Sequence, residues 1–357
     1  KMPRMVLMDN VLRFKRFMKE LSECIIFYHS DADGLCAAIT FSKAMEKLGK
    51  EPCRAIALES YEIAKAKELS SGAKHLIFLD LSADAEMHVI KLLEKKANVL
   101  IIDHHKIYKD LNSKKTILIK PQMLSTIEPS SYAASKLCFD LCSGIVNMSE
   151  YSWIPSIGII GDFGYAKWQS FVDEAAKKAN ISVEEMKEIA SLIDAVKILA
   201  PERFAELFEL FMLSDPKHIL KHELNALREK LQRQLMHWKK EFYKSAEHFP
   251  EIELYFFHMK PSASIKSALI DIITKELPNK TVVIAEDLGE RTIKFSARRQ
   301  DFRVAMNELL ENAVRGIPNA SAGGHVPAAA GSVPREYFLN FKKNLLEQLK
   351  ERYKQTR

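Results

Sequence analysis

Three apolar runs near the start of the chain constrain its fold more than any other feature. They are CIIFYHS (24–30), KHLIFLDLS (74–82) and NVLIIDHH (98–105), and each runs into acidic or imidazole side chains. Amphipathic stretches separate them, such as LCAAITFSKAMEKLG (35–49), which Gly49 stops. Continuous apolar strands alternating with helices predict a parallel sheet with both faces covered. SSYAASKLCFDLC (130–142) reads as helix. SIGIIGDFG (156–164) is a fourth apolar run, turning on glycines, and is expected to end at the same sheet edge.

The chain of 357 residues is long enough for two domains. Its apolar fraction of 47% and charged fraction of 28% exclude a disordered or collagen-like chain. From Asp215, a good N-cap, and Pro216, apolar residues recur every three or four positions. That pattern predicts one helix of about 30 residues, ~45 Å long, acting as a rigid connector. The last hundred residues return to alternating strands and helices, with a hairpin over 281–299 around Gly289. The expected division is a catalytic domain over 1–185, a helical linker over 186–249 and a second domain over 250–357.

Net charge is weak evidence: 53 basic against 47 acidic residues give +6, which permits a polyanionic partner without requiring one. No apolar run approaches the ~18 residues of a membrane span, and KMPRMVLMDNVLRFKRFMKE at the start does not read as a secretory signal. Five cysteines, mostly in apolar segments, read as reduced thiols of a cytoplasmic protein with no membrane association.

The informative residues lie at the segment ends. Asp31 and Asp33 follow the first strand, Asp80 ends the second, Asp103 ends the third, and Asp162 follows the fourth apolar run. His29, His104 and His105 accompany them. Singly, each aspartate could cap a helix and each histidine could be a packed residue. Together, at the carboxyl edge where α/β sheets bind ligands, they form a cleft. Asp31, Asp33, Asp80 and Asp162 would carry about −4, which two divalent cations would balance. Carboxylates with imidazole suit Mn2+ or Mg2+, and such a pair serves phosphoryl chemistry.

HSDADG (29–34), FLDLS (78–82), DHH (103–105) and GDFG (161–164) resemble, in that order, the four motifs of the DHH phosphoesterase superfamily. SAGGHVPAAAG (321–331) resembles the GGH motif of the C-terminal domain found in its RecJ-like nucleases and small-oligonucleotide phosphodiesterases. The two-domain layout is most similar to archaeal RecJ-like nucleases, the Hef-associated type among them. This resemblance implies a parallel-sheet DHH domain, a helical linker and a smaller mixed α/β domain, with the active site in the cleft between the domains. It implies one metal on His29, Asp31 and Asp80, and a second on Asp33, Asp80, His104 and Asp162. Asp103 would orient a histidine ligand, and His105 would contact the scissile phosphate. Gly323, Gly324 and His325 would grip the substrate.

Arg298 is the better phosphate-binding candidate of the pair Arg298 and Arg299, because neighbours on a strand face opposite ways. Phe163, Tyr165 and Trp168 fit base stacking or a core or lid role equally well, and are left out of the expected site.

The leading expectation is a two-metal exonuclease on single-stranded DNA or RNA, working in DNA replication or repair. The Hef-associated resemblance implies 3′→5′ polarity. A phosphodiesterase for short oligoribonucleotides or cyclic dinucleotides is the enzymatic alternative, and a catalytically silent replication scaffold is the other. Expected partners are single-stranded nucleic acid and a replication or repair protein such as a helicase, with a homo-oligomer also open. The long helix and the basic tail KERYKQTR are candidate docking surfaces.

Overall fold

Strands β1 (Cys24–His29), β2 (Arg54–Leu58), β3 (His75–Leu79), β4 (Asn98–Ile102) and β5 (Thr116–Ile119) form one sheet in the order β2-β1-β3-β4-β5, and every pairing is parallel. The computed structural model describes residues 4–355, so the first three residues of the segment judged not to be a signal, and the last two of the basic tail, lie outside them. Two units make up the chain, one through Arg228 and one from Glu229 onward.

Side chains alternate across the first sheet, and both faces are apolar. Ile26, Tyr28, Ile77, Leu79, Leu100 and Ile102 join one core with the helices Ala32–Lys47, Ala134–Ser143 and Trp153–Gly161. Ile25, Phe27, Leu76, Phe78, Val99 and Ile101 join the other. Burial on both faces explains why these strands read as unbroken apolar runs.

The structure corrects several expectations. Residues 153–161 form a helix, so Asp162 follows a helix rather than a strand. An apolar run buried all round has no periodicity to separate the two. Gly158 lets this helix pack closely, since a Cβ there would lie 2.3 Å from Ser135 Oγ and 3.0 Å from Asp33 Oδ1. Two strands, β2 and β5, were not anticipated. β2 also overturns the reading of Cys24 and Cys53 as free thiols. Ile25 pairs with Arg54, which sets the two preceding cysteines side by side, and they form a disulfide with Cα atoms 4.9 Å apart. Cys36, Cys138 and Cys142 are free and buried.

The expected connector is divided as well. Pro216–Lys221 and Asn225–Ser245 are separate helices, and Asn225 Nδ2 bridges the break by donating to the carbonyls of Ile219 (2.8 Å) and His222 (3.1 Å). Residues 186–228, expected in a linker, pack into the first unit, where Ile189, Ile193, Phe204, Phe211 and Leu224 belong to its core.

In the second unit, β6 (Glu247–Phe249), β7 (Leu254–Met259), β8 (Thr281–Glu286), β9 (Thr292–Arg298), β10 (Ser321–His325) and β11 (Ala328–Pro334) form a mixed sheet ordered β10-β11-β9-β8-β7-β6. β7 and β8 are parallel and the other pairings antiparallel, including the expected hairpin around Gly289. Phe256, Val283 and Phe295 pack against Leu310, Phe341 and Leu345 of the covering helices. No helix among the described residues is long and apolar enough to cross a membrane.

The start of the helix Ala32–Lys47 lies against β1, and a Cβ on Gly34 would sit 2.3 Å from the His29 carbonyl oxygen. That obstacle is backbone, which cannot swing aside. Gly34→Ala should therefore destabilise the chain by about 1–3 kcal/mol in urea unfolding. A loss below about 0.5 kcal/mol, the range of an ordinary surface change, would show that the approach is not tight.

Candidate metal centre

Each acidic or imidazole group reaches the carboxyl edge of the first sheet by its own route. His29 is the last residue of β1. Asp31 caps the following helix, accepting from Gly34 N at 2.9 Å through Oδ1, and its Oδ2 lies 2.6 Å from His29 Nδ1. It thus fills the capping role and the site role at once, one oxygen for each. Asp80 follows β3 in a left-handed backbone conformation (φ 57°) that an aspartate adopts at some cost. Asp103, His104 and His105 follow β4. Asp33, the second residue of that helix, accepts from Ala134 N (2.6 Å) and Ser135 N (2.9 Å), at the positive end of the helix Ala134–Ser143.

These groups form three overlapping clusters: His29, Asp31 and Asp80; Asp33, His104 and Asp162; and Asp80, His104 and His105, each with its donor atoms within 4.8 Å of one another. Asp80 lies at the middle. Its Oδ2 is 3.4 Å from His29 Nδ1, while its Oδ1 is 3.4 Å from His104 Nε2. His104 also approaches Asp162 Oδ2 (3.6 Å, from Nδ1) and Asp33 Oδ2 (4.0 Å, from Nε2). His29 Nδ1, Asp80 Oδ1 and Asp162 Oδ2 are buried beside charged neighbours yet make no aligned hydrogen bond. Buried polar atoms that converge unpaired, with carboxylate and imidazole donors, fit divalent cations that accept oxygen and nitrogen.

Electrostatics follow from this crowding. Burial, then the neighbouring Asp33 and Asp31, drive the Asp80 pKa well up. Burial and Asp33 push Asp162 up to about 7. Burial raises Asp33 too. Burial opposes a charged His29, but its contacts with Asp31, Asp80 and Glu59 prevail and push it up to about 12. His105 is likewise raised against its burial, by Asp103, whose Oδ1 is 2.6 Å from His105 Nδ1. Asp103 therefore orients the exposed His105, rather than the more buried His104 that the sequence reading places among the ligands.

Three supporting residues escaped the sequence reading. Glu59, directly after β2, lies 3.3 Å from His29 Nε2 and 2.9 Å from Lys197 Nζ. Burial would raise its pKa, but His29, Ser30 and Lys197 hold it down at about 2. A carboxylate on the far nitrogen of a ligating imidazole fixes the ring's orientation. Lys120, directly after β5 and fully buried, has its Nζ 2.8 Å from both Asp103 Oδ2 and Asp84 Oδ1. The ammonium also donates to the carbonyls of His105 and Lys106, and Asp84 Oδ2 accepts from Tyr108 N at 2.7 Å. Lys120 and Asp84 thus clamp the loop that carries His104 and His105. Recognising β2 and β5 as strands would have placed Glu59 and Lys120 at the same edge.

In the second unit, Gly323, Gly324 and His325 lie exposed on β10, the edge strand. Gly324 has φ 145°, and a Cβ there would lie 2.5 Å from the Ala328 carbonyl oxygen, so this edge hairpin excludes other residues at that position. Arg299 is buried and committed to Glu253, Asp301 and Tyr353. Arg298, on the opposite face, is partly exposed and pairs with Asp271 at 2.5 Å. Trp168 donates to the Ser131 carbonyl and Tyr165 to Asp173, whereas Phe163 projects into solvent.

The model of the DHH family, N-terminal domain, matches residues 23–159, and that of the DHHA1 domain matches residues 254–355. No curated protein matches the chain by sequence. Among solved structures, RecJ from Thermus thermophilus in complex with Mn2+ aligns at TM-score 0.69 and 15% identity, over 97% of this chain and 55% of that one. The chain thus spans about half the length of that RecJ. An exonuclease RecJ bound to manganese aligns at 0.70 and 15% identity, covering 96% of this chain and 94% of that one. CDC45 from Entamoeba histolytica aligns at 0.58 and 10% identity, covering 96% and 98%. At such identities the likeness is one of fold.

Lys120→Met would leave Asp84 and Asp103 buried without their cation. It should cost about 3–5 kcal/mol in denaturant unfolding, and a loss under ~1 kcal/mol would show that the clamp is dispensable. A second expectation concerns pH. The folded Asp162 holds its proton up to about pH 7, whereas an unfolded aspartate releases it near 3.8, and Asp33 and Asp80 shift the same way. Stability from Asp162 is full below about pH 4 and lost as pH rises through about 7. With chelator present, the thermal midpoint should fall between about pH 5 and 8, and Mn2+ should reverse the fall. A flat profile in chelator would contradict the crowding described above.

Proposed function

The chain belongs to the DHH superfamily of phosphoesterases, and we propose that it is an exonuclease hydrolysing phosphodiester bonds at an end of single-stranded DNA or RNA. The observation that carries this reading is Asp80, which faces His29 with one oxygen and His104 with the other at the centre of three overlapping acid–imidazole groups. His29, Asp31 and Asp80 would hold one Mn2+ or Mg2+ ion, and Asp33, Asp80, His104 and Asp162 a second. When bound, two such cations supply an activated water and offset the charge that develops on phosphorus oxygens.

The chain's own residues do the rest. Asp103 lies 2.6 Å from Nδ1 of His105 and favours the charged ring, in which Nε2–H is free to donate to a phosphate oxygen. Lys120 holds Asp103 and the backbone carbonyls of the same loop, so the ring presents one orientation. Glu59 does the same for His29. In the second unit, the Gly323–Gly324–His325 edge is the proposed substrate-binding element, with Arg298 as an additional phosphate contact. A silent scaffold has no use for four crowded carboxylates that repel one another, and the cluster favours an enzyme for that reason. The 3′→5′ polarity and a role in replication or repair, with a helicase-like partner, rest on the motif resemblance.

The test is a time course on single-stranded DNA and RNA 24-mers labelled at either end, with Mn2+, alongside Asp80→Asn, which suits the left-handed backbone. Mononucleotide release from one label and a ladder from the other are expected, and both should disappear with chelator or in the variant. Turnover of dinucleotides with the 24-mers left intact would move the protein to the short-oligonucleotide phosphodiesterases. Near-normal activity of Asp80→Asn would remove the shared-ligand role.

A further inference from the structure

Among the described residues of the first unit, the aromatic side chains classed as exposed are Tyr61, Tyr108 and Phe163, at 83%, 51% and 76%. All three lie on segments that carry the acid–imidazole cluster or its supports. Tyr61 is two residues beyond Glu59, which touches His29. Tyr108 is three residues beyond His105, and Asp84 holds its backbone N–H at 2.7 Å. Phe163 directly follows Asp162. Isolated exposed rings are ordinary, but these three share the segments that carry the cluster and its supports.

Phe163 adds an independent observation. Its backbone is left-handed (φ 57°), a conformation that glycine or asparagine adopts at lower cost, and its ring is not used for packing. Gly161 and Gly164 stand close by in sequence, so a glycine would be the unstrained choice at 163 as well. Directly beside the candidate metal ligand Asp162, this solvent-facing ring is placed to meet whatever binds at the cluster. At Tyr108, Lys106 Nζ lies 4.4 Å from the ring centre, which adds a cation to one face of the rim.

We infer that Tyr61, Tyr108 and Phe163 form an aromatic rim that stacks on unpaired nucleobases flanking the phosphate at the acid–imidazole cluster. This rests on the nuclease reading and deepens it by naming the substrate's recognised feature: the flat faces of bases free of a complementary strand. Such stacking tolerates any sequence, because every base has a π-face. Inside a duplex each base face is covered by the neighbouring pair, so the rim favours unstacked single strands. A protein surface as the rim's occupant is the competing outcome, and it would show no dependence on bases.

The test uses the full chain with Mn2+ and phosphorothioate hexanucleotides that resist hydrolysis, one carrying 2-aminopurine and one abasic throughout. Phe163→Gly relieves the backbone, so a merely structural role would leave binding unchanged while stability holds or rises. We expect the thermal midpoint to hold or rise and the Kd for the base-bearing strand to rise roughly 5- to 150-fold. The quenching of 2-aminopurine should be lost, and Phe163→Trp should restore both. Combining Phe163→Gly with Tyr61→Ser and Tyr108→Ser should weaken binding further. Leu213→Ser, at an exposed apolar position elsewhere, should change nothing.

Wild-type binding of the base-bearing strand with unchanged Kd in Phe163→Gly and in the triple variant would overturn the rim alone. An equal loss on the abasic strand would overturn base stacking. Failure of the wild-type chain to bind or cleave any single strand would overturn the nuclease reading and the rim with it.

Discussion

The mutual repulsion of the carboxylates crowded around Asp80 is the constraint on which the rest of the first unit depends. Asp31, Asp33, Asp80 and Asp162 come together with Asp33 and Asp80 buried, and like charges so close are costly unless cations or protons offset them. The chain answers with His29 and His104 between the carboxylates, and with Asp33 placed against the positive end of the helix Ala134–Ser143. It also leaves buried oxygen and nitrogen atoms without aligned partners. Such an arrangement is poor for folding and well suited to divalent cations, so the site's chemistry and its instability share one origin.

Holding that cluster in place requires a surrounding layer, and the parallel sheet supplies it. Every strand of the first sheet delivers a polar residue at the same edge: His29 from β1, Glu59 after β2, Asp80 after β3, Asp103 after β4 and Lys120 after β5. The central three supply the groups of the site, whereas the flanking β2 and β5 supply the residues that orient them. Glu59 steadies His29 from one side, and Lys120 with Asp84 steadies Asp103 and the loop of His104 and His105 from the other. The apolar cores on both faces fix the sheet, and through it the spacing of these groups.

Much of this was legible in the sequence because burial on two faces writes itself as unbroken apolar runs. β1, β3 and β4 stood out for that reason, and so did the acidic residues that follow them. β2 and β5 did not: RAIAL is only partly buried and TILI has four residues, too little pattern for a periodicity argument. Their omission hid Glu59, Lys120 and the Cys24–Cys53 pair together. The helix over 153–161 was misread for the opposite reason, since its burial all round erased the helical period. In the second unit, the alternation of Arg298 and Arg299 was readable, and burial of Arg299 left Arg298 as the one with an exposed face.

The sequence by itself determined the parallel sheet, the order of the acidic motifs and the residue types that make a two-cation site plausible, because these follow from local patterns of polarity. Only the tertiary structure decided which oxygen of Asp80 faces which histidine, that Asp103 serves His105, and that Glu59 and Lys120 complete the site. It also decided that Phe163 faces solvent in a strained backbone while Tyr165 and Trp168 turn inward. These outcomes depend on contacts between residues far apart in the chain, set by strand register and by the space that neighbouring helices leave, and no local pattern encodes them.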